Sequence, residues 1–364
     1  MGFDFALFNA EFPWFFATVA TVFGAWVGSF LNVAIYRGPA GISVVHPGSH
    51  CACGSPIKWY DNLPILSWFI LRGKARCCGQ PYTIRYAAIE ALTAVLFLAC
   101  WLTRAPIPAL GGMILLGLLI AATFIDLDHM IIPDGITIWG TVIAVALCFC
   151  FPSLHGYSRE PIFILGSIHS GFTAMIGALI GSGVILWIGL LAETVLKKEA
   201  MGFGDVKFMG LIGAFLGWQG AVFTIFGGAI VGTIWFSIAM VVQLFTGEKN
   251  SAALRSEPPE GDETDIGFGA HVPFGPMLAI AATIYLLGAS HFFESDIEHR
   301  AVPGDLVDQH HLEPYYSPPL FAGDAHHFRA VCRQQIQNFR PSTVFRVVRR
   351  RNFFGSLLIE RGRR

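Results

Sequence analysis

Met113-Ile114-Leu115-Leu116-Gly117-Leu118-Leu119-Ile120-Ala121-Ala122-Thr123-Phe124-Ile125-Asp126-Leu127-Asp128 is the stretch that decides the fold. From Ile107 to Ile125 the chain carries no charged residue. A helix needs roughly 20 such residues to cross the hydrocarbon core of a bilayer. The run then stops on carboxylates. Outward from it, comparable runs occur at Phe15–Tyr36, Tyr86–Thr103, Gly135–Phe151, Gly171–Leu196, Val206–Trp218, Gly220–Phe245 and Pro273–Phe293. The sixth run, Val206–Trp218, is short and is expected to be a tilted or half-buried helix continuing from a loop. Composition agrees: 54% of the 364 residues are hydrophobic and 13% charged, against about 25% charged in soluble domains, and mean hydropathy is +0.58. Backbone polar groups in lipid must be satisfied inside the segment. The expectation is an all-α polytopic membrane protein of about eight transmembrane helices with a cysteine-containing cytoplasmic loop.

The loops set orientation. Arg37, Lys58, Arg72, Lys74, Arg76 and Arg85 lie in one connecting segment, and Lys197, Lys198 and Lys207 flank another turn on the same side. The opposite loops hold mainly Arg104 and Arg159. The positive-inside rule puts Arg37–Arg85, Asp126–Asp134 and Glu199–Asp205 in the cytoplasm. No Lys or Arg precedes Phe15, so the first run reads as a retained helix rather than a cleavable signal. Net charge is −1, and no nucleic-acid partner is expected. The expected organisation is a first helix over 1–36, a cytoplasmic loop over 37–85, a membrane-embedded region over 86–293 and a tail over 294–364. That tail holds His310, His311, His326 and His327, then an arginine-rich end. The polar stretch Gly247–Ala270 reads as a flexible cytoplasmic loop.

Ionisable residues at a membrane boundary are costly and usually functional. Asp126, Asp128 and Asp134 follow the third run, and Gly202-Phe203-Gly204-Asp205-Val206-Lys207 opens the sixth. Two aspartates hydrolyse a peptide bond when one, ionised, takes a proton from water and the other, protonated, polarises the carbonyl. Close like charges in a poorly solvated site divide the labour that way, and they titrate as a unit. Gly202 and Gly204 suit a tight bend and close approach of a substrate strand. The other reading is that these acids cap helix ends, Asp205 the sixth span and Asp134 the fourth.

Taken together, the ordered motifs resemble one family. They are Gly28-Ser29-Phe30-Leu31-Asn32-Val33-Ala34-Ile35-Tyr36-Arg37, Trp59-Tyr60-Asp61-Asn62-Leu63-Pro64, Arg72-Gly73-Lys74, Ile84-Arg85-Tyr86 and Glu90. Ile125-Asp126-Leu127-Asp128, Pro133-Asp134, Gly202 to Lys207 and Pro273-Phe274-Gly275-Pro276 complete the set. The chain from about Gly24 to Leu287 is similar to the bacterial prepilin peptidases of type IV pilus and type II secretion systems. The resemblance implies a protease of the inner membrane with Asp205 and Asp126 as its catalytic pair. Asp128 is the fallback for Asp126, and Asp134, Gly202, Gly204 and Lys207 support the site. It implies prepilins or pseudopilins as partners, cut after glycine on the cytoplasmic side. Methylation of the new N-terminal residue from S-adenosylmethionine follows.

Cysteines in a cytoplasmic segment read as metal ligands before disulfides. The family's first loop carries two Cys-x-x-Cys pairs that look like a tetrahedral zinc site. Here Cys51 and Cys53 form Cys-x-Cys, Cys77 and Cys78 are adjacent, and Ala75 stands where the family has a cysteine. Those four are the candidate ligands, with His50 and Cys53 keeping the x2 spacing; the alternative is a loop packed without metal. Cys100, Cys148 and Cys150 read as small buried hydrophobes. No Rossmann-type glycine fingerprint marks a nucleotide site, so the cofactor-binding residues stay unassigned. Trp59, Tyr60 and Trp68 are candidates for stacking on adenine or for interfacial anchoring. The competing class is a proton-coupled transporter using intramembrane carboxylates, which predicts internal repeats with broken helices.

Overall fold

A computed structural model describes residues 8–9, 11–157, 160–197, 202–246 and 273–289. The expectations placed on Arg159, Lys198, Glu199, the loop Gly247–Ala270 and the tail from 294 onward fall outside the described residues. Among those described, every named element is helical. Helix α1 spans Pro13–Arg37, α2 Leu66–Ile70, α3 Arg85–Thr103, α4 Pro106–His129, α5 Asp134–Cys150, α6 Phe163–Leu196, α7 Phe203–Thr246 and α8 Gly275–Ile284. Five of them (α1, α3, α4, α6 and α7) are long and apolar enough to cross a membrane; α5 and α8 are shorter apolar helices.

The boundaries follow local chemistry. Proline opens α1 and α4 at the first turn, where its missing N–H costs nothing. Helix α4 runs four residues past the predicted end at Ile125, and Met130 stops it in the left-handed conformation with its N–H on the Asp126 carbonyl. Pro133 then precedes α5. Helix α6 starts at Phe163, eight residues before the predicted Gly171.

The predicted sixth and seventh spans are two halves of α7, separated at Gly217 by non-helical backbone (φ 72°, ψ 179°). A positive φ of that kind favours glycine. The halves fold back on each other. Met209 and Ala221 both lie against Gly181 of α6, whereas 12 residues of unbroken helix would separate them by about 18 Å. Gly177 and Gly213 face each other so closely that a Cβ on either would strike the other's carbonyl. Small residues of this sort let membrane helices approach through their backbones. Gly213→Val is expected to overpack this seam by about 1–3 kcal/mol, read as lost protease resistance of the protein in membranes.

Three buried clusters hold the bundle. Leu115 and Leu119 of α4 meet Phe208, Leu211 and Ile212 of α7 and Leu278 of α8. Phe97 and Cys100 of α3 meet Met113 and Leu116 of α4. Leu31, Ile89, Ile120 and Ile125 join α1, α3 and α4. Outward faces stay apolar, with Trp26, Trp139, Trp187 and Phe226 exposed, as lipid contact requires.

Candidate active site

The last turn of α4 and the first turn of α7 meet at one end of the bundle. In α4, Asp126 is buried (6% exposed), while Asp128, two residues on, faces outward. One helical turn therefore sorts two acids into different environments. Asp205 lies inside the first turn of α7, which begins at Phe203, and its N–H bonds to the Gly202 carbonyl. It is not an N-cap. Asp134 is the first residue of α5, whose N-cap is Pro133 with no side-chain cap bond, so capping does not account for that acid either.

Partners separate the four aspartates further. Arg85 grips Asp128 through both guanidinium nitrogens, at 2.8 and 2.6 Å. Lys207 Nζ lies 2.6 Å from Asp134 Oδ1. Asp126 and Asp205 are in no such ion pair among the described residues. Instead the backbone before Asp205 and the backbone against Asp126 converge on one residue, Ile132. Ile132 fills the space between their supports: it meets the position of a Cβ on Gly204 at 3.5 Å and on Gly275 at 3.2 Å. Asp126 Oδ2 is buried with no hydrogen-bond partner. A buried orphan oxygen costs about 1–3 kcal/mol, so a donor such as water or a substrate amide fits there.

Gly275 opens α8 and is the residue that sequence reasoning left without a role. A Cβ on it would sit 2.5 Å from Asp126 Oδ2. The signal was present in Pro273-Phe274-Gly275-Pro276, but nothing in the sequence says that this turn meets Asp126. Neither Gly202 nor Gly204 has a positive φ, and the Gly202 carbonyl accepts the Asp205 N–H at the start of α7. A Cβ at Gly202 would meet only Asp205 Oδ2, at 3.8 Å, and the Gly204 amide.

The loop between α1 and α3 is tied down at three points. Buried Arg37 donates to the carbonyls of Ser43, Pro47 and Gly48. Glu90 of α3 accepts the Ile65 N–H at 2.6 Å, holding a β-branched residue at φ 63°, a strained backbone position. Arg76 pairs with Asp61. Two short turns, closed by bridges His50–Pro56 and Lys74–Pro81, bring Cys51, Cys53, Cys77 and Cys78 together with all ligand atoms within 4.8 Å. Sγ atoms are 3.6 Å apart for Cys51–Cys78 and 3.4 Å for Cys53–Cys77. The Ser55 hydroxyl and amide hold the Cys53 thiol down at about 6, and hydrogen bonding to Cys53 pushes Cys77 up to about 12. His50 is not in this group; its Nδ1 contacts the Gly48 carbonyl. Of the aromatics, Trp68 packs on Gly73 and reaches the Tyr82 carbonyl. Lys58 and Arg76 lie over the Tyr60 ring, and Trp59 is 79% exposed.

Comparison with known proteins places this architecture. The bacterial peptidase A24 N-terminal domain matches residues 22–104, and the type IV leader peptidase family matches residues 113–237. The prepilin leader peptidase/N-methyltransferase of Klebsiella pneumoniae is 34% identical over 220 residues, covering 58% of this chain and 90% of that protein. The protein of the same description from Aeromonas hydrophila is 32% identical over 305 residues, 76% of this chain and 91% of its own length. The one from Myxococcus xanthus (strain DK1622) is 38% identical over 229 residues; the match spans 60% of this chain and 63% of that protein. No solved structure matches. Both halves of the described bundle are thus accounted for, and the chain belongs to the type IV leader peptidase family.

Proposed function

We propose that the protein is a membrane-embedded aspartyl endopeptidase that removes the leader of type IV prepilins or pseudopilins, then N-methylates the new N-terminal residue. The observation that carries the peptidase assignment is the contrast among the four aspartates. Arg85 and Lys207 neutralise Asp128 and Asp134, while Asp126 and Asp205 are in no ion pair among the described residues and are carried by segments that converge on Ile132. One carboxylate takes a proton from water. The hydroxide attacks the scissile carbonyl, whose oxygen receives the other aspartate's proton, and the amine leaves with the proton first taken. The pair shares that proton, so neither residue is assigned a fixed state. Cationic side chains gather at this end of the bundle (Arg37, Arg85, Lys207). That supports a cytoplasmic active site in the inner membrane, where a basic leader joins an apolar substrate helix lying in the bilayer.

The four thiols fit zinc. A tetrahedral site with Zn–S near 2.3 Å needs sulfurs about 3.8 Å apart; Cys51–Cys78 and Cys53–Cys77 are within a few tenths of that, and all four sulfurs lie within 4.8 Å of one another. The tight turns compensate for the altered Cys-x-Cys and Cys-Cys spacing. Zinc there would staple the two turns of the loop and supply no chemistry to the cut. Purified protein is expected to carry one zinc per chain by elemental analysis, Cys51→Ser and Cys77→Ser to lose it, and chelation to loosen the loop to proteolysis while leader removal continues.

S-adenosylmethionine supplies the methyl group. The cavity between the helix ends, about 130 Å³, is smaller than the roughly 300 Å³ at which pockets for drug-sized ligands begin. The adenosyl part is placed against the loop, where Trp59 is exposed. Mass spectrometry of a prepilin incubated with these membranes tests both activities. The leader should be lost after glycine, and a methyl group gained only with S-adenosylmethionine. An intact prepilin after incubation would overturn the reading.

A further inference from the structure

Leu66, Phe69 and Ile70 of α2 are 59, 61 and 66% exposed. Spaced i, i+3 and i+4, they form one face of that short helix. Ser67 is buried, and Trp68 packs inward on Gly73. The helix therefore turns its apolar face away from its own loop. In water that would leave three large apolar side chains uncovered.

The anchor of α2 fixes the depth of that face. Ile65, the residue before α2, donates its N–H to Glu90 at 2.6 Å. Glu90 is five residues past the start of α3 at Arg85, about 7.5 Å along the axis. Its backbone packs on Gly28 of α1, where a Cβ would come within 2.7 Å of Glu90 Cα. Gly28 is in turn well inside α1, which continues to Arg37. Helix α3 has only 19 residues, about 28 Å of length, and the hydrocarbon core is about 30 Å thick. A spanning helix that short has no turns to spare in water, so the level of Glu90 lies within the bilayer. The loop comes down beside the bundle to reach it.

Charge points the same way. Between Arg37 and Arg85 the loop holds Lys58, Arg72, Lys74 and Arg76 against one acid, Asp61, which Arg76 already pairs. Lys58, Arg72 and Lys74 are exposed, and Arg72 and Lys74 follow the apolar face in the chain. An apolar face edged by cations is the pattern of a helix lying in a membrane interface. Each cation close to an anionic leaflet adds attraction. We propose that α2 is an interfacial helix. Leu66, Phe69 and Ile70 enter the leaflet beside α3, and Arg72 and Lys74 meet anionic lipid headgroups. The partner of this face is lipid rather than the substrate helix, and the loop is held against the membrane whatever reaction the chain performs.

The test uses the full chain in vesicles of phosphatidylcholine alone, or of equal parts phosphatidylcholine and phosphatidylglycerol. The environment-sensitive residue dansylalanine is introduced at Phe69, at Ile70 or at exposed Gln80; Ile70 serves if the probe at Phe69 disturbs folding. In the mixed vesicles, emission from the Phe69 and Ile70 positions should be blue-shifted relative to Gln80 and quenched by lipids brominated on their acyl chains. Acrylamide in the water should quench them roughly tenfold less than the Gln80 probe, since burying one large apolar side chain is worth a factor of about ten or more. Phosphatidylcholine alone should raise acrylamide access at Phe69 and Ile70 and leave Gln80 unchanged. Acrylamide quenching at Phe69 and Ile70 equal to that at Gln80 overturns the proposal. So does protection that appears only when prepilin is added, which would make the face a substrate seat. Protection that appears only at high protein-to-lipid ratio also overturns it, and would make the face a contact between copies. Equal protection in both kinds of vesicle overturns the role given to Arg72 and Lys74.

Discussion

Asp126→Asn and Asp205→Asn are each expected to lower leader removal by about 10³-fold, the middle of the range for a positioned acid or base, with normal membrane insertion. Each change keeps the side chain's shape and removes the charge that the shared proton depends on. The effects should not add: the double variant should be about as inactive as either single one, because the two carboxyls act as a unit. The contrast lies in the paired acids. Asp134→Asn loses an ion pair to Lys207 in which Asp134 is 61% exposed, an interaction worth at most about 1 kcal/mol, and cutting should stay within about fivefold of wild type. Membranes containing each variant, incubated with one prepilin and followed by mass spectrometry over time, give all four rates. If Asp205→Asn cuts at the wild-type rate, or Asp134→Asn fails as badly as Asp126→Asn, the assignment of the pair is wrong.

Gly275→Ala is the second large effect. The added methyl group would lie 2.5 Å from Asp126 Oδ2 and 3.2 Å from Ile132 Cδ1, and Ile132 is itself buried among α4, α5, α7 and α8 residues. The clash falls on the end of the Asp126 side chain, so the carboxyl turns from its position or α8 moves off the bundle. A displacement near 1 Å in a catalytic group costs on the order of 10²-fold, and that is the expected fall in cutting. Gly202→Ala is the matched control. Among the described residues it meets no atom closer than 3.8 Å, and it should keep cutting within about threefold, since ordinary van der Waals contact carries no penalty. Accumulation of both proteins in membranes distinguishes a displaced carboxyl from a misfolded bundle. Full activity of Gly275→Ala would show that α8 does not define the position of Asp126.

Much of this was readable along the chain. The apolar runs and the scarcity of charge sufficed for an all-α membrane bundle, because hydrocarbon leaves the backbone no other way to satisfy itself. The motif pairs Ile125-Asp126 and Gly204-Asp205 singled out two acids, because a carboxylate at the end of an apolar run has no cheap structural reason to be there. The runs Val206–Trp218 and Gly220–Phe245 fall in one helical stretch that Gly217 divides into two antiparallel halves. That reversal was not legible in the residue order, since glycine is frequent in membrane helices and most of the 40 in this chain bend nothing.

What the sequence by itself determined was therefore the material: spanning helices, two acids at helix ends, four thiols in one polar loop. Only the tertiary structure decided which groups meet. It gave Asp128 to Arg85 and Asp134 to Lys207 across 43 and 73 residues, and set Gly275 against Asp126. It also drew Cys51, Cys53, Cys77 and Cys78 into one cluster despite spacings that argued against it. Helix periodicity is a local property carried by neighbouring residues. Pairing of charges and convergence of ligands depend on distances through space, which the packing of α4, α7 and α8 sets.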